Sequence, residues 1–398
     1  MNPKLDLLEP YPFEKLRTLL AGVQASDAHT PIRLSIGEPQ HPTPVLIRDA
    51  LSGALDGLAH YPSTQGSEAL RAAIAAWIER RHGVRDIDLA TQVLPVAGSR
   101  EALFSFAQAV IDPAAGTARV LCPNPFYQIY EGAALLAGAR PIFYNQTPDN
   151  GYGLDFAHLS DEDWRHVRLA YVCSPGNPSG AVLDIDDWRR LFELADRHDF
   201  IIASDECYSE IYQDEASPPL GALAAASQLG RRGCERLVVF SSLSKRSNVP
   251  GMRSGFVAGD ARVLARYLLY RTYHGCAMSP AVQVASIAAW GDEAHVIENR
   301  QRYREKFARV QPLIDACLPA PMPPAGFYLW ARTPCADTDF ARGLYAAYNV
   351  TVLPGSYLSR LAQGFHPGAG FIRLALVAGL DECLEAAARI VAYTKSLQ

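Results

Sequence analysis

The segment Ser241-Ser-Leu-Ser-Lys245-Arg-Ser-Asn-Val-Pro-Gly-Met-Arg253-Ser-Gly-Phe256 sets one lysine among hydroxyls, with an arginine eight residues further on. It follows the apolar run Leu237–Phe240. A lysine that forms an imine must be partly deprotonated, so it needs a desolvated or cation-crowded pocket. Ser242 and Arg253 are suited to hold a phosphate dianion, the arginine as a bidentate donor. Taken alone, a Ser-rich loop with Lys and Arg is more often a solvated turn.

Five further places carry groups that chemistry could use. In Ala203-Ser-Asp205-Glu-Cys207-Tyr208, an aspartate ends a buried run. Such a carboxylate can face a pyridine nitrogen and keep it protonated, making the ring the electron sink that pyridoxal phosphate chemistry needs. Tyr208 can donate to the phenolic oxygen of that cofactor, whereas Cys207 reads as core filling; Asp205 as a helix cap is the plainer alternative. In Ser174-Pro-Gly-Asn177-Pro178-Ser-Gly180, Asn177 can reach the same phenolic oxygen, and its bond to Pro178 is a candidate cis peptide. An ordinary Pro/Gly turn fits that stretch as well. In Ala97-Gly98-Ser99-Arg100-Glu101 a helix starts near Ser99, and its free amides with the Ser hydroxyl make an anion site, unless Ser99 is only the cap. Tyr127, after Pro125, is placed to stack on a ring or simply to pack. Arg373, in Gly370-Phe-Ile-Arg373-Leu-Ala, interrupts an apolar strand, and a substrate carboxylate or a structural Asp or Glu serves equally as its partner.

These groups need elements to position them. Between about residues 90 and 260, short β-branched runs alternate with amphipathic helical stretches. The strand candidates are Thr91–Ala97, Ala118–Cys122, Val167–Cys173, Phe200–Ser204, Leu237–Phe240 and Gly255–Gly259, with helices at Ser99–Ile111, Tyr127–Ala137 and Ile185–His198. That alternation predicts an α/β fold with a largely parallel sheet, whose ligands sit at the strands' C-terminal ends. A helical pattern over Glu293–Cys317 leads to a smaller α+β domain with strands at Phe327–Ala331 and Phe371–Ala375. The expected division is an N-terminal arm with part of the small domain (1–45), a large domain (46–290) and a small C-terminal domain (291–398).

All six segments occur in the order of a known family, and the sequence resembles the class I/II aminotransferases, the fold type I pyridoxal phosphate enzymes, over essentially its whole length. The resemblance implies that Lys245 forms the imine with pyridoxal 5'-phosphate and later shuttles a proton. Asp205 then pairs with the ring nitrogen, and Asn177 and Tyr208 hold the phenolic oxygen. Ser99, Arg100 (mainly through its amide), Ser242 and Arg253 hold the phosphate, and Tyr127 stacks on the ring. Gly37, in Ile36-Gly37-Glu38-Pro39, lies with Asn177 by the substrate carboxylate, which Arg373 clamps. Tyr61, in His-Tyr61-Pro-Ser-Thr-Gln-Gly66, reaches the phosphate of a partner subunit, which implies a homodimer with shared active sites. The opening Leu7-Leu-Glu-Pro-Tyr-Pro-Phe-Glu-Lys-Leu-Arg17, the Lys245 segment and Arg271-Thr-Tyr-His-Gly-Cys-Ala-Met-Ser resemble the proteobacterial succinyldiaminopimelate aminotransferases. For the far end of so long a substrate the candidates are Arg271, His274 and an arm carrying Lys15 and Arg17. Pro-Gly-Met-Arg253 replaces the Thr-Gly-Trp-Arg of many relatives and leaves the arginine in place.

The bulk numbers set the partners. The 398 residues are 49% hydrophobic and 20% charged, with a formal net charge of −5, so no global basic field holds nucleic acid or an anionic membrane. Apolar runs are strand-sized, the N-terminus has no signal-peptide character, and eight scattered cysteines form no metal-like cluster. The expectation is a cytoplasmic enzyme acting on small amino and 2-oxo acids, without metal, nucleic acid or membrane. An aspartate, aromatic or acetylornithine aminotransferase and a C–S lyase share the same cofactor residues. A non-catalytic regulator would carry a DNA-binding module ahead of this domain, and a dinucleotide oxidoreductase would show a G-x-G-x-x-G after a strand; neither feature is present in the sequence.

Overall fold

The computed structural model describes residues 1–397. In chain order its strands are β1 (Ile32–Arg33), β2 (Val93–Val96), β3 (Arg119–Asn124), β4 (Arg140–Asn145), β5 (Val167–Cys173), β6 (Ile201–Asp205), β7 (Leu237–Ser242), β8 (Gly255–Gly259), β9 (Tyr328–Arg332), β10 (Val350–Thr351), β11 (Leu353–Pro354) and β12 (Phe371–Ala375). Seven of them form one sheet in the order β2-β8-β7-β6-β5-β3-β4. β8 runs antiparallel to both β2 and β7, and the other pairings are parallel. The expected mostly parallel α/β sheet is therefore present.

The central strands read as continuous apolar runs because both faces are covered. Along β7, Leu237 and Val239 enter one buried cluster with Trp77, Trp188 and Trp290. Val238 and Phe240 point the other way, into a cluster with Phe106, Tyr130, Tyr171 and Tyr267. Each such side chain contributes roughly 1.5–3 kcal/mol on full burial. The covering helices have legible ends. Ile185–His198 begins at Asp184, whose carboxylate accepts from the amides of Asp186 and Asp187, and ends at Asp199 in the left-handed conformation.

Two short strands bind the chain's beginning to its end. β1 pairs in parallel with β10, and Ile32 and Leu34 join a core with Phe307, Leu329, Phe340 and Ile372. There β9, β12 and β11 make an antiparallel sheet. Helix Pro12–Leu20 packs Leu16 against Trp330, Leu353 and Leu358, and helix Ala294–Asp315 runs from the large sheet toward this second core. No helix among the described residues is long and apolar enough to cross a membrane.

Candidate active site

The registers of the large sheet decide which loops meet. Cys173 pairs with Asp205 and Asp205 with Phe240, so β5, β6 and β7 end almost level. Because β2, β3, β5, β6 and β7 are parallel, the turns after all five lie along one edge. A cavity of about 440 Å³ opens there. Of the twelve residues expected at the site, Gly37, Ser99, Arg100, Tyr127, Asn177, Asp205, Tyr208, Lys245, Arg253 and Arg373 line it, and Ser242 and Tyr61 do not.

Lys245 sits on the four-residue helix Leu243–Arg246, in the connection that turns the chain back from β7 into β8. Its Nζ lies 5.9 Å from the centre of the Tyr208 ring. Ser242 caps this helix, accepting from the Ser244 amide, and its single hydroxyl proton is shared between two neighbours, Ser244 Oγ (2.9 Å) and the Ser254 carbonyl (3.2 Å). The hydroxyl on the cavity wall is thus that of Ser244, with Ser242 behind it. A residue two positions earlier ends up behind the wall because the extended chain has already turned into helix.

At the end of β2 the structure departs from the reading of Ser99 as a possible cap. Gly98 is the cap, at φ +99°, and Ser99 is the first helical residue. A Cβ on Gly98 would collide with the Arg253 guanidinium and the Glu101 carboxylate, which are joined by a 2.6 Å ion pair. The helix amides of Ser99, Arg100 and Glu101 therefore open directly onto the cavity beside Arg253, an arrangement that attracts an anion. Cys207 donates its S–H to Ser99 Oγ at 3.0 Å, and burial pushes that thiol well above its ordinary range, keeping it neutral. Gly98→Ala forces a left-handed or strained backbone at about 1–3 kcal/mol as well as a clash. It is expected to weaken pyridoxal phosphate retention about tenfold or more, read by fluorescence titration of the cofactor-free protein; unchanged affinity would show that this turn does not hold the phosphate.

Asp205 is buried, with Oδ2 accepting from the Tyr130 hydroxyl (2.7 Å) and Oδ1 from the Cys207 amide (3.2 Å). Tyr208 shares a 3.0 Å hydrogen bond with the Tyr328 hydroxyl, and burial keeps its phenol protonated. The Asn177–Pro178 bond is cis, as are Asn124–Pro125 and Ser174–Pro175. Arg100 donates Nε to the Tyr127 hydroxyl at 2.6 Å.

Of the two partners expected for Arg373, the structural Asp or Glu is absent among the described residues. Arg373 is 4% exposed and lies 4.3 Å above the Tyr328 ring. Its Nη1 donates to Asn177 Oδ1 (3.0 Å) and Nη2 to the Ser35 carbonyl (2.9 Å), while Nε has no partner. Among the described residues no carboxylate pairs with it. A buried guanidinium on a cavity wall, with no carboxylate of its own, fits an incoming carboxylate. Since Asn177 Oδ1 accepts from Arg373, its Nδ2 is left to donate into the cavity.

Residues 29–390 match the family described as aminotransferase class I and II. The chain is a class I/II aminotransferase. It is 32% identical over 395 residues to the LL-diaminopimelate aminotransferase of Syntrophobacter fumaroxidans, covering 97% of each chain. The crystal structure of an aminotransferase from Neisseria meningitidis superposes with a TM-score of 0.95 at 51% identity, covering 98% of this chain and 99% of that one. A probable N-succinyldiaminopimelate aminotransferase from Thermus thermophilus gives 0.82 at 28% identity, covering 96% and 100%. Pyridoxal phosphate is the cofactor of this family and fold, and the cavity suits it: a helix N-terminus with Arg253 for the phosphate, a buried carboxylate for the ring nitrogen, and an amine at Lys245.

The residues expected to read the far end of the substrate lie elsewhere in the aminotransferase. Arg271 is buried and donates to the carbonyls of Pro95 (2.7 Å) and Cys276 (2.9 Å). His274 lines a separate surface groove with Arg266 and Tyr273. Lys15 pairs with Glu9, and Arg17, exposed, with Glu14. The arm does reach over the cavity, through Tyr11, Pro12 and Phe13. Those three, with Tyr130, Tyr328 and Glu101, are site residues that sequence reasoning missed; only the Pro-Tyr-Pro-Phe aromatic cluster near the N-terminus offered a signal.

Proposed function

We propose that this aminotransferase moves the amino group of glutamate onto N-succinyl-2-amino-6-oxopimelate, giving N-succinyl-LL-2,6-diaminopimelate and 2-oxoglutarate, a step toward lysine and peptidoglycan precursors. The observation that carries this reading is a pair of arginines on one cavity, neither paired with a carboxylate among the described residues: Arg373, held by Asn177 and the Ser35 carbonyl, and Arg100, whose Nε is engaged by Tyr127 and whose two terminal nitrogens are left to donate. Both substrates carry a carboxylate beside the reacting carbon and at least one more at the far end. Arg373 takes the first and Arg100 the second.

Bound in the cavity, the pyridoxal ring supplies an electron sink for the charge that develops at the substrate α-carbon. The chain does the rest. Asp205 holds a proton on the ring nitrogen, and Asn177 Nδ2 and the Tyr208 hydroxyl donate to the phenolic oxygen. The amides of Ser99 and Arg100, the Ser99 hydroxyl, Arg253 and the Ser244–Ser242 pair hold the phosphate, and Tyr127 stacks on the ring. Lys245 Nζ would hold the cofactor as an imine and, as an amine beside the substrate, would move the proton at the α-carbon. Gly37 leaves room beside Arg373: a Cβ there would strike the Tyr328 ring. We read the active form as a homodimer in which Tyr61, fully exposed on the single chain, reaches the phosphate of its partner.

Unacylated LL-diaminopimelate is the second reading, favoured by the 32% identical relative. A distal ammonium would lose hydration against the wall of Tyr11, Phe13, Leu353 and Leu358. The test is a set of half-reactions followed by cofactor absorbance. Conversion by glutamate and by N-succinyl-LL-diaminopimelate is expected. Conversion by free LL-diaminopimelate with the succinyl form inert would move the assignment to the second reading, and conversion by aspartate or aromatic amino acids alone would discard both. Arg100→Met should raise KM for glutamate roughly ten- to a hundredfold, the value of a charge-assisted hydrogen bond, while leaving alanine unaffected.

A further inference from the structure

We propose that Lys306, His41 and Asn299 are positioning residues, a directed hydrogen-bond chain that holds the Lys245 turn in register with the Gly37 segment and the Arg373 strand. This rests on Lys245 being the cofactor-bearing residue. Asn299 and Lys306 lie two turns apart on helix Ala294–Asp315 and so share a face. Lys306 is 2% exposed and has no carboxylate partner among the described residues. Its three N–H groups are spent on His41 Nε2 (2.7 Å), the Leu376 carbonyl (3.2 Å) and the Val377 carbonyl (3.2 Å).

That leaves His41 one possible tautomer. With Nε2 accepting, the ring proton is on Nδ1, which donates to Asn299 Oδ1 at 2.8 Å. The same oxygen accepts from Asn248 Nδ2 at 2.9 Å. Asn299 Nδ2 in turn donates to the carbonyls of Lys245 (3.1 Å) and Arg246 (3.4 Å). Those are orphan carbonyls of a one-turn helix, which has no following turn to satisfy them. Reversing any link would set donor against donor inside the protein. Burial and the neighbouring Lys306 push His41 down to about 4, so the ring is neutral, and burial pushes Lys306 down to about 8.

The three segments joined are the ones whose spacing decides catalysis. His41 follows Gly37 by four residues, Leu376 and Val377 follow Arg373 on the same strand end, and the Asn299 amide grips the main chain of Lys245 itself. A buried ammonium without a counter-ion is costly, and a Met or Leu of similar size would serve stability better. The arrangement makes sense as geometry control between the two cores.

The experiment compares His41→Leu with His41→Gln, and both with Asn299→Leu. Glutamine can accept from Lys306 and donate to Asn299, so it restores the chain; leucine fills the same space and breaks it. His41→Leu and Asn299→Leu are expected to slow the glutamate half-reaction about ten- to a hundredfold, the penalty of a misplaced reacting group, with KM changed much less and the pH midpoint of cofactor absorbance displaced. His41→Gln should stay within about threefold of the parent. In the cofactor-free protein, amide hydrogen exchange at residues 243–247 should speed up in both leucine variants and not in His41→Gln. Unchanged exchange and half-reaction in the leucine variants, or equal losses in His41→Leu and His41→Gln, overturn the proposal. Faster exchange in the leucine variants, together with a parent protein that shows no lysine-bound cofactor absorbance, would retain the contact network and sink the Lys245 reading instead.

Discussion

Lys245→Ala is expected to remove turnover, with a loss of at least about 10⁴-fold in the glutamate half-reaction, the upper range for one acid–base group and before its covalent role is counted. Its Nζ opens onto the cavity at the turn between β7 and β8, and no other described lysine lines that cavity. Truncation should leave the fold intact, because the main-chain contacts of the turn, including the Asn299 amide on the Lys245 carbonyl, do not involve the side chain. The measurement is single-turnover absorbance after mixing with glutamate, with thermal unfolding as the control for folding. Pyridoxal phosphate should still bind through Arg253 and the Ser99 helix, but reversibly and without the absorbance of the lysine-bound form. A variant that keeps both the absorbance and the half-reaction would place the chemistry on another residue.

Asp205→Asn is expected to cost roughly 10²–10³-fold in the same half-reaction, corresponding to about 3–4 kcal/mol, within the range for breaking a buried charge pair. The carboxylate is 4% exposed, and both of its oxygens accept hydrogen bonds, from Tyr130 and from the Cys207 amide. An asparagine keeps the shape but turns one acceptor into a donor facing a donor, and it removes the negative charge proposed to hold a proton on the ring nitrogen. Cofactor should remain bound, since the phosphate contacts lie elsewhere. The diagnostic comparison is the half-reaction rate against cofactor affinity: a large loss in the first with little in the second marks an electronic role. Equal losses in both would make Asp205 a packing residue, and a rate above about a tenth of the parent would leave Asp205 without the role of holding the ring proton.

Much of the scaffold was legible because local chemistry is unambiguous where it agrees with itself. Val167–Cys173, Gly255–Gly259 and Ile185–His198 begin and end where their patterns place them. β4 was missed because it is an edge strand, half-buried and carrying Pro141, so it lacks the continuous apolar run of its neighbours. The two-residue strands β1, β10 and β11 are too short to leave a periodic signal. Nor does any residue of β8 state that it runs backwards; a turn of about a dozen residues permits either direction, and the pairing of Ser242 with Gly255 decides it.

The sequence by itself determined the chemical types at the site: an amine, a carboxylate at a strand end, an amide beside proline, a glycine before a helix and an arginine in an apolar strand. Only the tertiary structure decided what each of them meets. Tyr130 and Asp205 are 75 residues apart, Tyr208 and Tyr328 are 120, Arg253 and Glu101 are 152, and Arg373 and Asn177 are 196. No periodicity spans such separations. Sheet order and register set them, placing Arg373 beside Asn177 with its Nε unmet, turning Ser242 away from the cavity and carrying Arg271 into the core. Residue identity fixes which protons a group can give or take, but the packing of distant elements fixes which donors are already spent, and the unspent ones are what a substrate finds.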